Sequence, residues 1–342
     1  MEFVLRLLTL VEATRLRTTC KEMCALVASH PWEEHHLTTD PDLYFQCFPE
    51  ALTLFAYPKS AFRIPPSVRN LSFAHSDLYD LPELALHSFT ALFCRIDELP
   101  SLPKLTRLDL TGSVFDPLLL TGFSCVKELV VSGCPTIRAS HLCGFPNCEK
   151  LIARNCSLTD EFLPFMPLLR VLDLQDVVGW FDHYPLPLLE HFATPVGGIP
   201  PLQFPHLKSL RCSFGASDSL EHDSLKELVV DGASVDVFKL PQLETLTLRY
   251  ANLEPLRDLS RLKKLTISYC YFEDFACLCN LFVDELVVDH CDLRCGALLC
   301  ARVEKLRLLC CDLDALPSCE LFTCACVALK HGLTASMPCA SS

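Results

Sequence analysis

From Leu243 to Phe272 the chain reads LETLTLRYANLEPLRDLSRLKKLTISYCYF, and one pattern runs through it twice. Leu243, Leu246 and Leu248 stand at positions one, four and six of a unit, with Ala251 and Leu253 at nine and eleven. Nineteen residues later the register returns as Leu262, Leu265, Ile267, Cys270 and Phe272. Alternation at four and six is the period of a short strand with one buried face. A small residue at nine lets the chain turn inward. A unit this short cannot bury its apolar face alone, so it must stack on copies of itself. That requirement constrains the fold more tightly than any single residue does.

The pattern extends along most of the chain. Its position-four residues read as Leu71, Leu92, Leu108, Leu129, Leu151, Leu172, Phe192, Leu210, Leu228, Leu246, Leu265, Leu286 and Leu306, in steps of 16 to 22 residues. A worn first strand falls at Ala51–Phe55 and a worn last copy near Cys324. The unit, L-x-x-L-x-L-x-x-(N/C/small)-x-L, resembles the leucine-rich repeat family. The resemblance implies an α/β right-handed solenoid with a curved parallel sheet on its concave face. Only about eight to ten residues remain after strand and turn, which suits a helical turn, a 3-10 segment or extended chain on the convex side. Pro255–Leu259 and Pro164–Pro167 fit such segments. Asp176–Pro205, richest in Pro and Gly, predicts a kink or loop excursion.

The chain outside the array divides simply. Residues 1–38 form a small α-helical module, 39–67 a proline-bearing transition, 68–333 the array, and 334–342 a disordered tail. In the module, Val4, Leu7, Leu8 and Val11 have helical spacing, as do Leu16, Cys20, Met23, Cys24 and Val27. Pro31 stops the second helix. VEATRLRTTCKEMCALVASHPWEEHHL resembles the second half of an F-box, with Cys20-Lys21, Leu26 and Trp32 at matching places and Met23 where tryptophan is usual. An L-P-x-E element does not precede it. The resemblance implies that Leu7, Leu8, Leu10, Leu16, Met23, Leu26 and Trp32 bind a Skp-type adaptor and, through it, a cullin. The other reading is a cap over the first repeat, which solenoids need.

Composition narrows the function. A net charge of −13 argues against nucleic acid, which needs a basic face, and against anionic lipid. No apolar run is long enough to span a membrane. Glu2, Arg6 and Glu12 interrupt what would otherwise look like a signal peptide. The 22 cysteines are therefore read as reduced thiols in the cytoplasm or nucleus. Cys134, Cys156, Cys270, Cys291 and Cys311 fall at or beside position nine, where stacking would build a buried ladder.

Catalytic patterns are missing. There is no G-x-x-x-x-G-K-[ST], G-x-G-x-x-G after a strand, H-E-x-x-H or G-x-S-x-G. Glu33-Glu34-His35-His36 reads as a solvated loop. The thiols around Cys277, Cys279, Cys291, Cys295, Cys300, Cys310, Cys311, Cys324 and Cys326 lack paired zinc spacing. Cys339-Ala340-Ser341-Ser342 fits C-a-a-X formally, without aliphatic middle residues or a polybasic run. No enzyme activity, metal or cofactor is expected.

What remains is the concave face, where positions three, five, seven and eight point outward. Its candidate binding residues are Thr247, Arg249, Tyr250, Thr266, Tyr269, Asp289, His290 and Arg307. Tyr250, Tyr269 and His290 form an aromatic line flanked by Arg249 and Arg307, the residue types that anchor protein interfaces. The sequence reading is a substrate-recognition subunit of an SCF-type ubiquitin ligase that holds a protein target on this face. The alternative is a leucine-rich scaffold with capping helices. Activation of a GTPase is a third role found among leucine-rich repeat proteins, but with long helical repeats that this chain lacks.

Overall fold

The computed structural model describes residues 10–17, 21–30, 32, 37–38, 41–56, 63–79, 81–175, 177, 185–194, 204–213, 218–233, 235–251, 253–270, 278, 281–293, 302–309, 311–313 and 337–338. The chain divides into two compact units, Met1–Leu169 and Arg170–Ser342. Each is a parallel-sheet β-solenoid with few helices.

In the first unit the helices Leu10–Arg17, Lys21–Ser29 and Pro41–Cys47 lead into the sheet. Leu16 belongs to the first of these, not to the second, where its spacing had placed it. The sheet begins with Leu37–Thr38 beside Thr53–Ala56, and Leu54 is registered against Leu71. Leu71 pairs with Phe89 and Phe89 with Leu108, then Leu108 with Leu129 and Leu129 with Leu151. Position four of the strand Ser88–Leu92 is thus Phe89, not Leu92. Phe89 is fully buried, whereas Leu92 is half-buried at position seven. Burial decides between two apolar residues three apart, and the corrected steps around Phe89 are 18 and 19 residues.

The second unit keeps the expected register throughout its described strands. Leu172, Phe192, Leu210, Leu228, Leu246, Leu265, Leu286 and Leu306 are successive partners. Asp176 to Pro205, where the excursion was expected, falls largely outside the described residues.

Prolines place the turn before many of the strands. In Leu102-Pro103-Lys104-Leu105 the N–H of Leu105 donates to the carbonyl of Leu102 at 3.0 Å. The same turn closes at Phe145–Cys148, Met166–Leu169, Leu186–Leu189, Phe204–Leu207 and Leu240–Leu243, each with Pro second. Proline there presets the backbone angle that the second residue of a turn needs. Both ends of the turn are buried, so it packs and turns at once. Beyond position nine the chain runs through short parallel strands, 3-10 turns or, at Ala139–Leu142, a short α-helix. Asp77–Leu78, Arg95–Ile96 and Val114–Phe115 pair in the first unit, and Asp218–Glu221 pairs with Val235–Lys239 in the second. The 3-10 turns are Pro117–Leu120, Asp160–Phe165 and Glu254–Asp258.

Charged residues of successive strands alternate in sign. Glu128 stands between Arg107 and Lys150, Glu190 between Arg170 and Lys208, and Glu244 between Lys226 and Lys263. The Lys208 ammonium and the Arg170 guanidinium hold the Glu190 carboxyl below its ordinary range, and Lys263 does the same for Glu244. All three carboxylates sit at the surface, where single pairs contribute little. Their regularity matters for register, since opposite charges on facing strands attract and like charges repel.

Candidate functional site

Position eight lies at or beyond the end of most strands, where the chain turns. The backbone is left-handed there: φ is 48° at His75, 54° at Phe93 and 52° at Asn155 in the first unit. In the second it is 51° at Tyr250, 54° at Tyr269 and 50° at His290. The same column holds Gly112, Gly133 and Gly232, with φ of 66°, 68° and 81°. Two demands meet at this residue. Its N–H still donates to the next strand, as Tyr269 does to the carbonyl of Asp289 at 3.0 Å and His290 to that of Leu309 at 2.9 Å. Its successor must already point into the core. Glycine meets both cheaply, and other residues pay a steric cost of about 1–2 kcal/mol.

The chain nevertheless places rings there. Tyr250 and Tyr269 stack at 4.9 Å between centroids with 13° between planes, and Tyr269 and His290 at 4.7 Å and 20°. These separations match the spacing of about 4.8 Å between neighbouring strands. Tyr250 is 64% exposed and Tyr269 41%. The exposed His290 ring stands with Nδ1 2.7 Å from Oδ1 of Asp289. Thus Tyr250, Tyr269, Asp289 and His290 are brought together. Thr247 and Thr266 are registered neighbours at position five, half-buried.

The two arginines are occupied. Arg249 Nη1 lies 3.4 Å from Oδ1 of Asp231, whose Oδ2 also meets Arg211 Nη2 at 2.8 Å. Arg307 Nε lies 3.0 Å from Oε1 of Glu285. They border the row as members of ion pairs rather than as free cations.

Sequence reasoning missed a second pair of rings. His75 and Phe93 stack at 5.3 Å and 6° in the first unit, and Phe93 is 58% exposed. The signal was present but displaced. Counting from Leu92 puts Phe93 at position five, whereas the observed register puts it at position eight.

Most of the N-terminal candidates, or their side chains, lie outside the described residues. Leu7 and Leu8 lie outside them. Leu10 and Leu16 sit on the helix Leu10–Arg17, and Met23 and Leu26 on Lys21–Ser29. Of these four side chains, only that of Leu26 is described, and it is half-buried. Trp32 faces inward at 3% exposure. Its Nε1–H donates to the Val27 carbonyl at 2.9 Å, and its ring meets His30 and Phe48 edge-on. The N–H of Leu52 donates to the Trp32 carbonyl at 2.8 Å, tying the helices to the start of the sheet.

Position nine carries a column of thiols, buried except for the half-buried Cys311. Cys134 Sγ donates to the carbonyl of Leu110 at 3.0 Å and Cys156 Sγ to that of Val131 at 3.0 Å. Cys270 and Cys291 donate to Ser268 and Asp289, each at 3.3 Å. Cys311 donates to Leu309 at 3.3 Å. Serine takes the same place as Ser76 and Ser113, whose hydroxyls donate to Ala74 and Ala91. Burial pushes the thiols of Cys134 and Cys291 up, to about 12 and about 11. Thiols held so high lack the thiolate that nucleophilic or metal-binding cysteines need. Among the described residues no three or more His, Cys, Asp or Glu are grouped to hold a metal ion. Glu33–His36, Cys277, Cys279, Cys295, Cys300, Cys310, Cys324, Cys326 and Cys339 lie outside them. No described helix is long and apolar enough to cross a membrane. No protein-family model matches the chain, and no curated protein matches its sequence.

Proposed function

We propose that the chain is a non-catalytic protein-recognition solenoid of the leucine-rich repeat kind, which captures a protein target on the row Tyr250, Tyr269 and His290. One observation carries this reading. Three successive repeats place exposed rings on left-handed backbone, in a column that holds Gly112, Gly133 and Gly232 as well as His75, Phe93 and Asn155. Backbone strain retained under a solvent-facing side chain points to selection for the side chain rather than for the fold. Tyrosines on a rigid sheet suit protein interfaces, because they present large area at low entropy cost.

In the same proposal, the F-box-like helices present the solenoid to a Skp-type adaptor and cullin, making it the target-recognition subunit of an SCF-type ubiquitin ligase. The chemistry then belongs to the partner enzyme, in the cytoplasm or nucleus. The inward-facing Trp32 favours a second reading, in which those helices are a cap and the chain is a scaffold.

The test is capture of the organism's own Skp-type adaptor and cullin by the full chain and by a variant lacking Met1–His36. Capture that depends on those residues supports the ligase reading. A folded full-length chain that captures neither leaves the scaffold. Target recognition is tested separately with Tyr250→Ala combined with Tyr269→Ala. Loss of target at an unchanged thermal midpoint is expected, and undiminished capture sinks the aromatic-row reading.

A further inference from the structure

The first unit carries a ring stack of its own, and residues 81–175 beside it are described without a break. Phe93 is 58% exposed and takes the His75 ring on one face, at 5.3 Å and 6°. Its other face has no ring partner among the described residues. The ring leans over the next member of the column, so that a Cβ on Gly112 would clash with it. Beyond stands Gly133, also left-handed, with φ of 68°. Its chain neighbours aside, a Cβ there would meet only the Gly112 backbone within 4 Å, at 3.7 Å and 3.8 Å. Two repeats without a side chain thus leave the free face of Phe93 open to a planar group lying over the backbone.

A carboxylate is turned toward the same end of the strand. Asp109, half-buried at position five, precedes Gly112 by three residues. Its Oδ1 accepts the N–H of Thr111 at 3.1 Å and the Thr111 hydroxyl at 2.7 Å. The Thr111 carbonyl in turn accepts the N–H of Phe93 at 2.8 Å. One residue therefore ties the carboxylate to the ring. Oδ2 of Asp109 has neither a hydrogen bond nor a cation among the described residues. Arg107, two residues earlier on the same face, is turned to Glu128 at 3.5 Å instead. A carboxylate oxygen with its lone pairs left over is an acceptor for a donor from outside.

We infer that Phe93 and Asp109 form a recognition site for an arginine side chain of a protein partner. The guanidinium lies on the free face of Phe93, over Gly112 and Gly133, and donates from its edge to Asp109 Oδ2. Arginine can stack and donate from its edge at once, which the compact ammonium of lysine cannot. The span fits, since three residues of chain cover at most about 11 Å. The turn at Thr111-Gly112, closed by the N–H of Ser113 on the Leu110 carbonyl at 3.0 Å, shortens it further. The net charge of −13 also favours a cationic partner segment. This site goes beyond the proposed function: it lies in the other unit and does not rest on the row Tyr250, Tyr269 and His290.

The experiment is a ligand-observed NMR titration of the full chain with the peptide acetyl-Ser-Gly-Arg-Gly-Ser-amide. Two controls carry citrulline, which keeps the plane without the charge, or lysine at the centre. The arginine peptide should bind about tenfold tighter than the citrulline peptide and several-fold tighter than the lysine one. Phe93→Gly, suited to the left-handed backbone at φ of 54°, should weaken it about fivefold. Asp109→Asn keeps an acceptor for Thr111 and removes the charge. It should weaken binding to a similar extent, and it tests the site even where Phe93→Gly fails to fold. Gly133→Asn sets a side chain beside the free face, on backbone that Asn155 adopts in the same column, and should also weaken it. Tyr250→Ala with Tyr269→Ala should leave it unchanged. No binding, citrulline or lysine bound as tightly as arginine, or affinity unchanged in both Phe93→Gly and Asp109→Asn overturns the inference. Loss of binding in the tyrosine pair overturns it as well, by placing the arginine in the second unit.

Discussion

Replacing Tyr250 by alanine and by glycine should give stabilities in an inverted order. In an ordinary strand glycine is worse than alanine by about 0.5–1 kcal/mol, because it loses more backbone entropy on folding. At Tyr250 the φ of 51° changes the sign. Alanine keeps the left-handed penalty of about 1–2 kcal/mol, and glycine does not. Subtracting glycine's entropy cost leaves it favoured over alanine by roughly 0.5–1 kcal/mol. Both variants lose the stack on Tyr269, about 0.5–1.5 kcal/mol. Little burial is lost besides, since the side chain is 64% exposed. Tyr250→Ala should thus fall below the parent by about 1 kcal/mol, while Tyr250→Gly stays within about half that of it. Thr247, half-buried on the same strand, is the control at which alanine should win. Urea denaturation at fixed temperature reads all four variants, with slopes compared to confirm that the same surface is exposed. If Tyr250→Ala is as stable as Tyr250→Gly, or more so, backbone strain at position eight is not what the row retains, and the main support for a recognition role goes with it.

Three further outcomes follow from the packing. Phe89→Ala should cost about 3–5 kcal/mol as a fully buried ring, and Leu92→Ala less than half of that; comparable losses in thermal melts would refute the register built on Phe89. Alkaline conditions should destabilise the fold. The unfolded thiols release their protons near about pH 8.5, whereas folded Cys134 and Cys291 hold theirs to about 12 and about 11. Between those values the unfolded chain carries fewer protons, so stability falls as pH rises, and the combination of Cys134→Ala with Cys291→Ala should flatten that fall between pH 9 and 11 in urea melts. Iodoacetamide with site-resolved mass spectrometry should modify exposed Cys125 well before Cys134, Cys156, Cys270 and Cys291; early modification of those four would show the position-nine column to be open.

Much of the fold can be read directly from residues. Leu228, Leu246, Leu265, Leu286 and Leu306 were identifiable as strand partners because a buried leucine recurs at a spacing close enough to constant that no other register buries the set. Phe89 was misread because Phe89 and Leu92 are both apolar and three residues apart, so pattern alone permits either. Only the fit against Leu71 and Leu108 chooses. Trp32 shows a different difficulty. A tryptophan near a helix end is equally consistent with an outward docking residue and an inward anchor, and its contacts with Phe48 and Leu52 depend on a chain segment the local pattern does not mention.

The aromatic row divides in the same way. Periodicity by itself determined that Tyr250, Tyr269 and His290 share one column on an exposed face, because residues at equal positions of stacked units must align. Tertiary structure decided that the column is left-handed and that its rings are in face-to-face contact. The physical reason is that φ at position eight is set by two simultaneous demands, an N–H held by the next strand and a successor turned into the core. Both are made by neighbouring repeats, and neither is written in the identity of the residue that meets them.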